Sequence, residues 1–215
     1  MDQPENVRQI FDSCARQYQE KFMDLQYYRE PLDFLCSFLE ENDRIFDIGC
    51  GPGNVSRYLL QKKPGLRILG IDLSPKMIEL AKVNNPTASF QVMDCRKIDR
   101  LDQSFDAVVC GFCLPYLSPE EVEDLILKIA GILKNSGLCY LSTMVAENYR
   151  QQWVESSQGG SMKLLTHFHE SELLLHTMRK NGFRLTKSDL IDPPAEENRN
   201  WKDLVMVSRL QKDLQ

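Results

Sequence analysis

Residues 44–56 read Arg-Ile-Phe-Asp-Ile-Gly-Cys-Gly-Pro-Gly-Asn-Val-Ser, and no other stretch limits the folds open to this chain so sharply. An apolar run of strand type turns at Gly49, Gly51 and Gly53 and passes at once into a helical run from Val55 to Gln61. A strand that feeds a glycine turn and then a helix builds a nucleotide-type pocket at the sheet edge, with backbone N–H groups at the helix start pointing into it. Glycine takes positive φ readily and, lacking a Cβ, lets a ligand approach the backbone. The spacing narrows the ligand. Dinucleotide sites use G-x-G-x-x-G; here Asn54 occupies the position of the third glycine, which argues against a nicotinamide-dependent oxidoreductase. An acid, Asp47, stands two positions before the first glycine.

Further acids follow at the ends of strand-like runs. Ile68 to Asp72 is a second apolar run closed by a carboxylate, 19 residues beyond Gly53, where an acid can accept hydrogen bonds from ribose hydroxyls. Phe90 to Asp94 is a third, also closed by an acid, and Phe105 to Cys110 is a fourth apolar run, closed by a cysteine. The D-x-G-x-G-x-G turn together with these ordered strand ends resembles the class I S-adenosylmethionine (SAM)-dependent methyltransferases. The resemblance spans roughly Phe11 to Leu210 and is specific from about Ile45 to Met144. It implies a Rossmann-like α/β fold: a mostly parallel seven-stranded sheet, helices on both faces and a C-terminal antiparallel hairpin. It further implies SAM as cofactor. Asp47, Gly49, Cys50, Gly51, Gly53 and Asn54 would form the first binding motif. Asp72 and Leu73 would meet the ribose, Met77 would pack beside it, Asp94 and Cys95 would meet the adenine, and Cys110 would end the fourth strand beside the cofactor.

A chain of 215 residues suffices for one domain burying roughly 70 % of its unfolded surface. No apolar run reaches the ~20 residues of a membrane span, and the start, Met-Asp-Gln-Pro-Glu, lacks the pattern of a secretory signal. A net charge of −5 argues against a nucleic-acid partner, which calls for a basic face. Seven scattered cysteines read as reduced thiols in a cytoplasmic protein. The spacing of Cys110 and Cys113 matches a redox pair, but it ends an apolar strand, so packing is the expected role.

Outside the central motifs the sequence is less specific. Phe11, Ala15, Tyr18 and Phe22 fall on one helical stripe; in the family such a helix closes over the cofactor, which places Tyr18 there. Residues 1–42 are thus read as a helical cap. Ser74-Pro75 and Ser118-Pro119 look like helix starts, Asn84-Asn85 before Pro86 like a helix end, and Asn135-Ser136-Gly137 like another. Leu138 to Met144 reads as strand five. Residues 145–169, with Gly159, Gly160 and Ser161, read as an irregular insertion, in the family commonly part of the substrate wall. Phe183 to Leu190 and Trp201 to Leu210 read as the closing hairpin, linked by the polar 192–198 stretch.

The three histidines are His167, His169 and His176. The first two sit where the insertion should meet the last helix, and with Tyr116 they are the candidates for acceptor contact or general-base work; Trp153 is another contact candidate and His176 is expected on a helix. The loop Gly111 to Tyr116 lacks the N-P-P-Y signature of enzymes that methylate conjugated amino groups, and no acidic pair follows for a magnesium ion, so no metal is expected. The acceptor implied is a small molecule with an oxygen, carbon or nitrogen nucleophile. A catalytically silent SAM-binding or partner-activating protein on the same fold is the alternative.

Overall fold

In the computed structural model, which describes residues 3–155, 163–192 and 200–211, five parallel strands form the frame: β1 (Arg44–Ile48), β2 (Arg67–Asp72), β3 (Ser89–Val92), β4 (Phe105–Gly111) and β5 (Leu133–Ala146). Their spatial order is β3-β2-β1-β4-β5, so the chain reverses direction of travel between β1 and β4. Such a switch point opens a crevice at the carboxyl ends of the strands, where α/β proteins bind ligands. The glycine turn leaves β1 into that crevice.

Ile45, Phe46 and Ile48 are fully buried, because β1 is covered on both faces. Phe46 and Ile48 pack into a cluster with Val122, Ile126 and Ile129 of α5 (Pro119–Ile132). Ile45, on the opposite face, packs with Leu32 and Leu35 of α2 (Arg29–Cys36) and Leu59 of α3 (Asn54–Lys62). Strands buried on both sides read as continuous apolar runs, which is why β1 and β4 stand out in the sequence. Helix starts follow local chemistry. Ser74 Oγ accepts from Met77 N at 3.1 Å and caps α4 (Pro75–Asn84). Ser118 and Glu121 form a reciprocal capping box at α5, a device worth about 1 kcal/mol.

The remaining elements complete the edges. Helix α1 (Gln3–Phe22) lies across the carboxyl ends of the strands, and α6 (Ser171–Lys180) leads into β8 (Phe183–Ile191) and β9 (Lys202–Leu210). β9 runs antiparallel to β5 from Leu138–Arg209 to Val145–Lys202, and β8 pairs with β9.

Two expectations are corrected. The 145–169 insertion is not irregular where it is described: it forms β6 (Arg150–Glu155) and β7 (Lys163–Glu170), paired antiparallel from Arg150–Phe168 to Glu155–Lys163. The sheet therefore has nine strands rather than seven. β7 has side chains to bury on both faces, Leu164, Thr166 and Phe168 on one and His167 and His169 on the other; this hides the period-two signal that marks half-exposed strands. Second, α5 ends at Ile132, and Leu133 already pairs with Phe105, so strand five begins before Asn135-Ser136-Gly137. Gly159, Gly160, Ser161 and most of the 192–198 link lie outside the described residues. Among the described residues no helix is long and apolar enough to cross a membrane.

Candidate active site

The glycine turn is held from several directions. Gly51 N donates to Asp72 Oδ2 at 2.9 Å, and Cys50 N donates to Ile71 O at 2.9 Å, so β1 and β2 fix it together. Gly51 has φ of +52° and Gly53 of +79°, conformations that a Cβ disfavours. At Gly53 space is lacking too, since a Cβ there would lie 2.3 Å from Asn85 Nδ2. That amide donates to Gly53 O at 3.0 Å, and Asn84 Nδ2 donates to Pro52 O at 2.8 Å. Asn54 Nδ2 donates to Phe22 O at 2.9 Å and ties the turn to the end of α1.

Two cavities open on this turn. The smaller, about 90 Å³, is lined by Asp72, Leu73, Met77, Asp94, Cys95 and Arg96. The larger, about 240 Å³, takes in Cys50, Asn54 and Val55. It then runs past Tyr140, Ser142 and Met144 of β5 to Thr166 and Phe168 of β7, and on to Trp201 and Asp203. Phe11, Tyr18, Gly49, Gly51, Gly111, Phe112 and Tyr116 line both. A ligand lying in the smaller cavity along the turn thus presents one end to the larger one.

Most residues expected at the cofactor are brought together here. Tyr18, Gly49, Cys50, Gly51, Asn54, Asp72, Leu73, Met77, Asp94 and Cys95 all line one cavity or both. Three do not. Asp47 is buried beneath the turn, where it accepts from Ser56 Oγ at 2.6 Å; its position supports the loop from behind. Gly53 faces Asn85. Cys110, near the end of β4, is fully buried in the core, and Gly111, the next residue, supplies the wall instead.

Burial governs the electrostatics. It lifts the Asp72 carboxyl to about 6 despite backbone N–H bonds from Ser74 and Gly51 that oppose the rise. It also lifts Asp47 to about 6, against the hydrogen bond from Ser56. Asp94 is held by Arg96, whose Nε lies 2.8 Å from Oδ1 and whose Nη1 bonds Glu121 at 2.9 Å. Burial pushes the Tyr18 and Tyr116 phenols far above their ordinary value. At neutral pH both are hydrogen-bond donors, not bases. Cys95 and Cys113 approach to 3.8 Å at the wall of the smaller cavity, and both thiols are raised well above the ordinary value, each first by a hydrogen bond with a neighbouring cysteine. All seven cysteines are free thiols.

His167 and His169, expected at the acceptor, line neither cavity. Successive side chains of a strand point to opposite faces: Leu164, Thr166 and Phe168 line the larger cavity, while the two histidines point away from it. Both are buried. His167 Nδ1 pairs with Tyr149 Oη at 2.8 Å, and His169 Nε2 donates to Leu114 O at 3.0 Å, which fixes its tautomer. Burial lowers the basicity of both. Trp153 is exposed and outside both cavities, and His176 lies on the exposed face of α6. Tyr116 alone among the catalytic candidates reaches the site.

Other participants carried no sequence signal. Phe112 has φ of +53°, a conformation costing an aromatic residue roughly 1–3 kcal/mol. Its N–H donates to Ser142 O at 2.9 Å, and its ring packs on Tyr28 at 5.2 Å, edge to face. Asp12 on α1 accepts from Ser74 Oγ at 2.5 Å and from Arg8 Nη1 at 2.9 Å, clamping the cap to the start of α4. At the far end of the larger cavity Tyr28 Oη donates to Asp203 Oδ2 at 2.7 Å. Spacing within a motif could not reveal the contacts of Phe112 with Ser142 and Tyr28, of Asp12 with Ser74, or of Tyr28 with Asp203, since each pairs residues distant in the chain.

Residues 45–137 match the family model described as a methyltransferase domain. Among curated proteins, the chain is 30 % identical over 128 residues to a putative methyltransferase of Invertebrate iridescent virus 6, covering 59 % of this chain and 47 % of that protein. It is 31 % identical over 157 residues to carboxy-S-adenosyl-L-methionine synthase of Nautilia profundicola, covering 67 % and 62 %. It thus spans only about half to under two thirds of the length of these relatives. In fold it is similar to magnesium protoporphyrin IX methyltransferase of Synechocystis PCC 6803, crystallised with bound SAM, at a TM-score of 0.71 and 18 % identity over 98 % of each chain.

Proposed function

We propose that the chain is a class I SAM-dependent methyltransferase, as the match of residues 45–137 to a methyltransferase domain supports, and that it binds SAM along the glycine turn and transfers its methyl group to a small molecule held in the larger cavity. The observation that carries this reading is the pair of cavities sharing Tyr18, Gly49, Gly51, Phe112 and Tyr116 as a common wall. Asp72 would accept from the ribose hydroxyls, Asp94 and Cys95 would meet the adenine, and Leu73 and Met77 would supply apolar packing. These groups fit such a ligand: a carboxylate fixed by two backbone donors, and a turn whose positive φ keeps Cβ atoms out of the way. When bound, SAM would supply a methyl group activated by the positive charge on its sulfur.

The chain's own residues align and enclose. Holding two reactants in register can contribute about 7–11 kcal/mol. Helix α1 closes the near side through Phe11 and Tyr18, whose rings stand edge to face at 5.7 Å, while Phe11 meets Tyr116 at 5.2 Å. The β6–β7 pair closes the far side. Tyr116, neutral and at the junction, positions the acceptor as a donor. We read the chain as one domain, with residues 1–42 as cap and 145–169 as wall, working among reduced thiols in the cytoplasm.

Calorimetry with SAM and with its demethylated product, S-adenosylhomocysteine, tests the binding step. Saturable one-site binding is expected, and no heat with either ligand would sink the reading. Labelled SAM incubated with a small-molecule extract then separates an enzyme from a silent binder: transfer of label is expected of the first, and binding without transfer of the second.

A further inference from the structure

Two cysteines meet across the smaller cavity. Cys95 follows β3, and Cys113 stands two residues beyond the end of β4. Both are partly exposed and line the cavity, and their sulfurs are 3.8 Å apart. Sequence spacing pairs Cys113 with Cys110 instead. Cys113 does contact that thiol, but Cys110 is fully buried in the core, out of reach of a solute. β3 and β4 are not neighbours in the sheet, since β2 and β1 lie between them. A bond between Cys95 and Cys113 would therefore tie together two strand ends that the glycine turn and Asp72 otherwise separate.

We infer that Cys95 and Cys113 form an oxidation site, at which a hydroperoxide converts the pair to a disulfide that closes the cofactor side of the crevice. The thiol chemistry stands on geometry alone; its effect on the cofactor rests on the methyl-transfer reading above. One thiol takes a hydroxyl oxygen from hydrogen peroxide, giving a sulfenic acid and water. The second thiol displaces that hydroxyl, forming the S–S bond and releasing a second water. The two sulfurs give up two electrons, and their two protons leave in the water. Disulfides in reducing compartments are usually transient and redox-sensing, which suits a pair that rests as thiols. The contact must shorten to about 2 Å. Arg96 ties the Cys95 loop through ion pairs with Asp94 and Glu121 at 2.8 and 2.9 Å, so movement falls mainly on Cys113. Its neighbours Phe112 and Tyr116 line both cavities, and its Cβ packs over Gly49, 3.0 Å from where a Cβ there would lie. A shift of Cys113 thus reaches the glycine turn and the shared wall together.

The test treats the full chain, reduced with dithiothreitol and desalted, with hydrogen peroxide. Free thiols are then alkylated and peptides identified by mass spectrometry. A Cys95–Cys113 link is expected, together with a loss of S-adenosylhomocysteine affinity of at least about tenfold by calorimetry. Dithiothreitol should restore the affinity, which separates the link from methionine oxidation, a lesion that needs its own reductases. Saturation with S-adenosylhomocysteine before peroxide should slow linking, because the ligand covers both sulfurs. Cys95→Ser and Cys113→Ser, each compared with itself before treatment, should show no dithiothreitol-reversible loss. The inference is overturned if peroxide leaves the two peptides unlinked, if Cys113 links to Cys110 or to a second chain instead, or if the linked chain keeps its affinity within about threefold. A reduced chain that never binds S-adenosylhomocysteine would break the methyl-transfer reading instead, and the peptide map still judges the oxidation site.

Discussion

The two halves of the crevice are built in opposite ways. The side proposed for the cofactor is assembled from strand ends and the turns that follow them: Gly49 to Asn54 after β1, Asp72 and Leu73 after β2, Asp94 and Cys95 after β3. Each lies at a fixed offset from its strand, and backbone groups do much of the work. The side proposed for the acceptor draws single side chains from α1, β5, β7 and β9, elements far apart in the chain. The first geometry survives almost any change of side chain outside the turns. The second can be remodelled one residue at a time. The contrast suggests how one fold keeps its cofactor while changing its acceptor, and it can be probed from both sides.

The largest effect is expected on the backbone-built side. Gly51 has positive φ, and an added Cβ would point at Tyr18 Cε1, 3.7 Å away, in the space both cavities share. Gly51→Val should abolish SAM binding by calorimetry while leaving a cooperative melt. Normal binding would show that this turn is no part of the site. Next comes Asp72→Ala. A hydrogen bond to a charged group is worth about 1.5–3 kcal/mol, so affinity should drop roughly 10- to 100-fold. An unchanged affinity in a folded variant would move the ribose elsewhere.

A smaller effect is set by pH. With Asp72 lifted to about 6, only about a tenth of it is ionised at pH 5. SAM affinity should therefore fall about tenfold between pH 7 and pH 5, and Asp72→Asn should flatten that slope. Stability should move the other way. Asp72 and Asp47 bind protons in the folded chain more tightly than at the ordinary carboxylate value of 3.8. Their contribution to stability is thus full below about 4 and is lost as pH rises through about 6. Opposite slopes of affinity and melting temperature across this window are the expected signature; parallel slopes would contradict the assignment of Asp72.

The same contrast explains what could be read without coordinates. β1, β2 and β4 announce themselves because strands covered on both faces are runs of apolar residues. The serine caps at α4 and α5 announce themselves because their hydrogen bonds close within three residues. The glycine turn is legible as a local constraint, yet its tethers from Asn84 and Asn85 are not, since a helix-ending asparagine looks the same whether or not its amide reaches back 32 residues. β6 and β7 are missed because their pairing depends on each other and on β5, not on local preference. Asp203 is missed for a related reason: nothing in a β-strand's own sequence says that its first carboxylate will meet Tyr28, 175 residues away.

The smallest expected effect concerns the histidines, which a sequence-based choice of general base would favour. His167 and His169 occupy the outer face of β7, with Thr166 and Phe168 between them and the cavity. Neither can reach an acceptor without rotating the strand, and a half-turn of β7 would expose Leu164 and Phe168, both now buried. Their bonds are structural: His169 supplies the donor for Leu114 O, and His167 anchors Tyr149. Removing the His169 donor should cost about 1–3 kcal/mol of stability, the usual consequence of leaving a buried carbonyl unpaired. SAM affinity should stay unchanged in both alanine variants. A general base contributes about 10²–10⁴-fold to rate; so once an acceptor is found, turnover within about threefold of the unaltered chain below the variants' melting temperatures would place both residues outside the chemistry, whereas a loss of about 100-fold or more in His167→Ala would require β7 to turn its other face inward.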